Sequence, residues 1–242
     1  MRTIPLLGTA LLPFAIAACS GSPTQSSTTA SGKAAHHVFI VDVSSSPATM
    51  NDPTIAHAAE ASIGSELKRE AKLGDVIMVF ESGNADAARM AGHPPIATGY
   101  NLRIPAAHAK LVGQLHEIAA RFHAQGGDNA THLVQSLEAI HPDCSSGRDT
   151  VTILTDGLEE DGEMSSAREL AAGKPVHLPT PPARYLAGCR KITFLGFGLT
   201  DDGAGKEQLL VPRQLAALRQ GWLEYLTAAG VRPEDVSFIS AF

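Results

Sequence analysis

Val38-Phe39-Ile40-Val41-Asp42-Val43-Ser44-Ser45-Ser46 is the stretch on which the fold turns. Four apolar residues in an unbroken run suit a strand whose sheet is covered on both faces. The run then stops at an aspartate and passes into a small polar loop. A strand ending this way points to an open α/β sheet, where ligands sit beyond the carboxyl ends of strands, at the point where strand order reverses.

Short apolar runs alternate with helical patterns along the rest of the chain. Ile55, Ala59, Ile63, Leu67 and Ala71 recur every fourth residue and predict a helix closed by Gly74. Val76 to Phe80 reads as a second buried strand. Tyr100, Leu102 and Ile104 alternate with Asn101 and Arg103, which predicts a third strand with one wet face, at an edge. Leu111, Leu115, Ile118 and Phe122 mark the next helix, and another runs from about Thr131 to Ile140. The strand Val151 to Leu154 follows, then a Pro-rich loop and the strand Ile192 to Leu195. Leu215, Leu218, Trp222 and Leu226 stripe the last long helix, with Trp222 in the core, and Val236 to Ile239 forms a sixth strand. This alternation predicts one α/β domain over residues 36–242, a doubly wound, mainly parallel six-stranded sheet with helices on both faces, for which the Rossmann-like strand order is 3-2-1-4-5-6. No internal repeat interrupts it. In that order the first and fourth strands are neighbours, so Asp42 meets Asp156 of Leu154-Thr155-Asp156-Gly157 in one crevice.

The amino terminus is of another kind. Arg2 precedes an apolar run from Ile4 to Ala18 that is short for a membrane span. Ile16-Ala17-Ala18-Cys19 resembles the lipobox of bacterial lipoproteins. That resemblance implies a signal peptide over 1–18, acylation of Cys19, and, because Ser20 follows, sorting to the outer membrane where the host has two. Several acyl chains at about 0.8 kcal/mol per buried methylene make such an anchor stable. Residues 19–35 contain no apolar residue larger than alanine after Cys19 and read as a flexible tether, since they cannot offset the entropy of folding.

Bulk properties exclude several classes. The chain has 242 residues, 44% of them hydrophobic and 18% charged, with a net charge of −6, so neither disorder nor a polyanion-binding surface is indicated. Basic residues are scattered, which argues against nucleic acid as a partner. Three cysteines are too few for a disulfide scaffold and lack zinc-site spacing. Cys144 and Cys189 lie just before the fourth and fifth strands, whose amino ends are adjacent in the expected order. An exported domain would pair them, although two free buried thiols is the other reading. Ten histidines show no ligand spacing and are assigned no role.

Asp42-x-Ser44-x-Ser46, a threonine in a later loop and Asp156 after the fourth strand, in that order, resemble the metal-ion-dependent adhesion site of von Willebrand factor A domains. The likeness extends over most of 36–242. It implies a site made of Asp42, Ser44, Ser46, Thr131 and Asp156 that holds Mg2+, or Mn2+ or Ca2+. Thr131 lies six residues before Leu137 and takes the loop position, with Asp128 as the alternative counted forward from Gly126-Gly127. Magnesium takes six oxygen ligands near about 2.1 Å and retains waters. Hydroxyls of Ser44, Ser46 and Thr131 can ligate without adding charge, while Asp42 and Asp156 act through water. The under-neutralised ion would then accept a Glu or Asp side chain from a protein partner.

Other readings remain at this level. Asp and Ser also cap helices, and a degenerate, metal-free site would leave a structural or assembly scaffold of the envelope. A metal-dependent phosphohydrolase working through an aspartyl intermediate fits less well. Ser44 stands where such chemistry wants a second aspartate, and no nucleophile elbow or phosphate-binding loop is present. The chain therefore reads as a binding protein rather than an enzyme. Glu159, Glu160, Asp161 and Glu163 are expected to form a solvated loop rather than a second cation site.

Overall fold

The computed structural model describes residues 32–82, 94–126, 130–161, 164–201 and 207–240. Its main sheet contains β1 (His36–Asp42), β2 (Val76–Ser82), β3 (Ile96–Ala97), β4 (Thr150–Leu154), β5 (Lys191–Leu195) and β6 (Val236–Ile239). The helices are α1 (Ala48–Asn51), α2 (Pro53–Glu70), α3 (Ile104–Gln125), α4 (Leu133–Ile140), α5 (Ser166–Ala171) and α6 (Pro212–Ala228). The sheet order is β3-β2-β1-β4-β5-β6, with β3 antiparallel to β2 and every other pairing parallel. This is the doubly wound, mainly parallel arrangement expected from the sequence.

Alternation along β1 explains why its run is continuous. Val38 and Ile40 enter one core with Leu133, Leu137, Phe194 and Trp222. Phe39 and Val41 enter the other with Ile63, Leu67, Leu111 and Ile118. Thus α4 and α6 cover one face and α2 and α3 the other, and neither face of the central strand is left for polar residues. Trp222 is fully buried, with its ring 5.0 Å from that of Phe194. Helix starts follow local chemistry. Asp52 caps α2 by accepting from Thr54 N at 2.7 Å, and Pro53 occupies the first turn, where its missing N–H costs nothing.

The third strand departs from expectation. It is Ile96–Ala97, paired with Ile77 and Val76, whereas Tyr100 is 91% exposed and Ile104 opens α3. Pro105 sits in the first turn of that helix, with Arg103 as the extended residue before it, so the alternation from Tyr100 to Ile104 is a turn leading into a proline-started helix. The edge position was correct and the residues were not. Gly74 likewise does not cap α2, which ends at Glu70 with Ala71 as its C-cap. It lies at φ +99° in the following turn, where its N–H donates to Thr98 O at 3.2 Å.

At the amino ends of the strands Cys144 and Cys189 form a disulfide, with Cα atoms 4.6 Å apart. Such a bond argues for maturation in an oxidising compartment outside the cytoplasm. Ala35, the last residue of the expected tether, is fully buried and its N–H donates to Asp75 Oδ1 at 2.9 Å. The signal, Cys19 and most of the tether lie outside the described residues. No helix among the described residues is long and apolar enough to cross a membrane.

Candidate functional site

Register brings the carboxyl ends of three strands level: Val41 pairs with Leu154, and Leu154 with Leu195. The next residues therefore emerge side by side, and the first contact joins two of them. Thr155 Oγ1 donates to Asp42 Oδ2 at 2.7 Å, while Ser44 N donates to Asp42 Oδ1 at 3.0 Å. Thr155 Oγ1 in turn accepts from Gly157 N at 2.9 Å. Gly157 is glycine by necessity. Its φ is +80°, and a Cβ there would lie 2.5 Å from the Phe197 ring.

Ser44 is buried and Ser46 partly so, with their hydroxyl oxygens 3.4 Å apart. The Ser46 loop is held from behind by the loop after β5. Asp201 N donates to Ser46 O at 2.9 Å, and Pro47 bridges Thr200. Asp156 is fully buried. Its Oδ1 accepts from Leu158 N at 2.9 Å, but Oδ2 has no partner in normal hydrogen-bond geometry. Trp222 Nε1 donates to Gly157 O at 2.7 Å, so α6 fixes the loop that carries Asp156.

Electrostatics separate this aspartate from an ordinary one. Burial pushes the Asp156 carboxyl up to about 8, and the neighbouring Asp42 adds to the rise, against the Leu158 N–H and the Ser46 hydroxyl. No Lys or Arg is paired with it among the described residues. Glu159 is also fully buried and is pushed up to about 8, chiefly by burial. Its Oε2 accepts from Leu133 N at 2.9 Å and Val134 N at 3.2 Å, and Oε1 has no hydrogen-bond partner. Glu159 is therefore not part of a solvated loop. Burial by α4, whose first turn it caps, overrides the acidic composition around it. Glu160 and Asp161 are half-buried in a small hairpin with Met164–Ser165, and Glu163 lies outside the described residues.

The structure thus brings Asp42, Ser44, Ser46 and Asp156 together. Thr131 is also buried, and its carbonyl accepts from Glu160 N at 2.9 Å, which ties its loop to the β4 exit rather than directly to the other four residues. Asp128 lies outside the described residues. Thr155, Glu159 and Trp222 are the participants that pattern reading missed. Thr155 had a signal, because it stands beside Asp156 at a strand end. Glu159 and Trp222 act across 26 and 65 residues and had none.

The donor set can be tested against a divalent cation. Among the described residues no three His, Cys, Asp or Glu side chains are grouped to hold an ion, so hydroxyls must supply part of any coordination shell. Hard cations accept hydroxyl and carboxylate oxygen. Ser44, Ser46, Thr131 and the unpartnered Asp156 Oδ2 are donors of that type. Both oxygens of Asp42 already accept hydrogen bonds, which suits contact through water. The residues fit the ion.

No family model matches the chain, and no curated protein matches it. Among solved structures it is similar to the pilus adhesin SpaC from Lactobacillus rhamnosus GG in its open conformation, at 13% identity and a TM-score of 0.44. The alignment covers 86% of this chain and 28% of that one.

Proposed function

We propose that the chain is a lipid-anchored envelope protein, attached through Cys19, whose domain binds a protein partner through a divalent cation. Asp42, Ser44, Ser46, Thr131 and Asp156 would hold Mg2+, with Mn2+ or Ca2+ as substitutes, and a Glu or Asp side chain of the partner would complete the shell. The cation supplies an electrophilic centre. The chain's own residues would supply the hydroxyl and carboxylate oxygens around it. The observation that carries this reading is Asp156, a fully buried carboxyl with an unpartnered oxygen beside a second buried aspartate. Burial holds this carboxyl protonated, and a bound dication would favour its ionised form.

Calorimetric titration of the metal-stripped chain with Mg2+ tests it, beside Asp42→Ala. One saturable site in the wild type, lost in the variant, is expected. Equal heats in both proteins would contradict the assignment. With a partner in hand, Ser44→Ala should abolish metal-dependent binding and leave the fold intact.

A second reading, a metal-independent envelope scaffold, has one observation in its favour. Asp42 is satisfied internally by Ser44 N and Thr155 Oγ1 and needs no ion to be stable. Binding of a partner that is indifferent to chelator would favour it.

A further inference from the structure

Helix α4 begins without a cap of its own. His132 precedes it and makes no side-chain capping bond, and no acidic residue lies in its first turn. The first N–H groups of a helix have no intrahelical acceptor and must find one elsewhere. Glu159, 26 residues away, supplies it by accepting from both Leu133 N and Val134 N. The next residue extends the clamp, because Glu160 N donates to Thr131 O at 2.9 Å. Glu159 O itself accepts from Ser166 N at 2.9 Å, so the β4 exit loop is anchored on its far side by the start of α5. The segment from Thr131 to Val134 is thus held by three hydrogen bonds from two consecutive residues, three and four positions beyond Asp156.

We infer that Glu159 is a positioning residue that fixes the start of α4, and with it Thr131, relative to the β4 exit that carries Asp156. The inference rests on the cation reading of that site. It assigns a role to a residue that touches no ion. Thr131 stands two residues before the first clamped N–H, so its place depends on where α4 starts. Without the clamp, the described part of the loop before α4 keeps the bond between Glu160 N and Thr131 O and the approach of His132 Nδ1 to Asp161 Oδ1 at 3.7 Å, and Thr131 can shift relative to the β4 exit. The hydrogen bonds require an acceptor oxygen at this position rather than a charge. Glutamine keeps such an oxygen at the same reach, whereas alanine does not.

The test uses Mn2+ titration by electron paramagnetic resonance and amide hydrogen exchange on the wild-type chain, Glu159→Ala and Glu159→Gln. In Glu159→Ala the amides of Leu133 and Val134 should lose protection. Mn2+ affinity should fall by about 10- to 100-fold, the range for residues that orient metal ligands. Glu159→Gln should restore both the protection and the affinity, which a general loss of packing would not do. Glu159→Ala binding Mn2+ as tightly as wild type would overturn the positioning role, as would Glu159→Gln losing as much affinity as Glu159→Ala. A wild-type chain that binds no Mn2+ would overturn the cation reading and the inference with it. The exchange data would then show separately whether the clamp itself exists.

Discussion

The two ends of the sheet treat buried carboxyls in opposite ways. At the amino end Asp75 is as buried as Asp156, yet every approach to it is answered. Arg148 donates from two nitrogens at 2.7 and 3.1 Å, Ala35 N at 2.9 Å and Lys72 N at 2.7 Å, and His37 Nε2 stands 3.4 Å away. Despite its burial, these partners hold Asp75 down at about 2. Asp149 beside it accepts from His36 N and Ser146 N. At the carboxyl end Asp156 and Glu159 each have one oxygen with no partner in normal hydrogen-bond geometry among the described residues, and both are pushed up to about 8. The lesson is that burial alone does not mark a site. The mark is burial that the chain leaves uncompensated, and among the carboxyls of the described residues it falls at Asp156 and Glu159, both beyond the end of β4.

The largest expected effect lies at the compensated end. Asp75→Ala strips acceptors from Arg148 and two backbone N–H groups, and should cost about 3–5 kcal/mol in urea unfolding. A loss well under 1 kcal/mol would mean that the network is not a structural keystone and would blur the contrast. Reducing the Cys144–Cys189 bond, which closes a separation of 45 residues, should cost about 3–4 kcal/mol in the chain-entropy model. Because that bond lies at the amino end, Mg2+ affinity should be unchanged in the reduced protein while it remains folded. An affinity that fell with reduction would show the two ends to be coupled.

A smaller effect follows from pH. The folded values of Asp156 and Glu159, about 8, lie above their ordinary 3.8 and 4.5. The native state therefore holds protons that the unfolded chain releases, and stability is lost as pH rises toward 8. His37 shifts the other way. Burial lowers it from 6.5, so it resists protonation in the fold and subtracts stability only below that value. Between pH 6.5 and 8 the carboxyls act without opposition from His37. The metal-free protein should then be more stable at the lower pH by about 1–3 kcal/mol for one or two protons. Saturating Mg2+ should flatten that dependence. Asp75, depressed to about 2, contributes stability that is present above 3.8 and lost as pH falls toward 2.

Much of this was legible before the structure. The central strands could be read because residues buried on both faces must be continuously apolar, and the helices because one buried stripe repeats every turn. Asp42 and Asp156 could be placed in one crevice once the strand order was assigned. The third strand could not, since a two-residue antiparallel pair carries no period and the alternation at Tyr100 imitates one. Glu159 was hidden for a different reason. Its burial depends on α4 folding over it, and in sequence it is indistinguishable from the acids beside it. The Asp75–Arg148 pair spans 73 residues and is equally silent until the sheet brings its loops together.

The most direct test is the unfolding free energy of wild type and Asp156→Asn at pH 8, each with and without saturating Mg2+. Asparagine keeps the acceptor for Leu158 N and removes the uncompensated charge. The variant should therefore be more stable than wild type without metal, and gain nothing from Mg2+, while wild type gains with added ion as binding to the native state requires. If Mg2+ stabilises both proteins equally, or neither, no cation is held at the carboxyl end of the sheet.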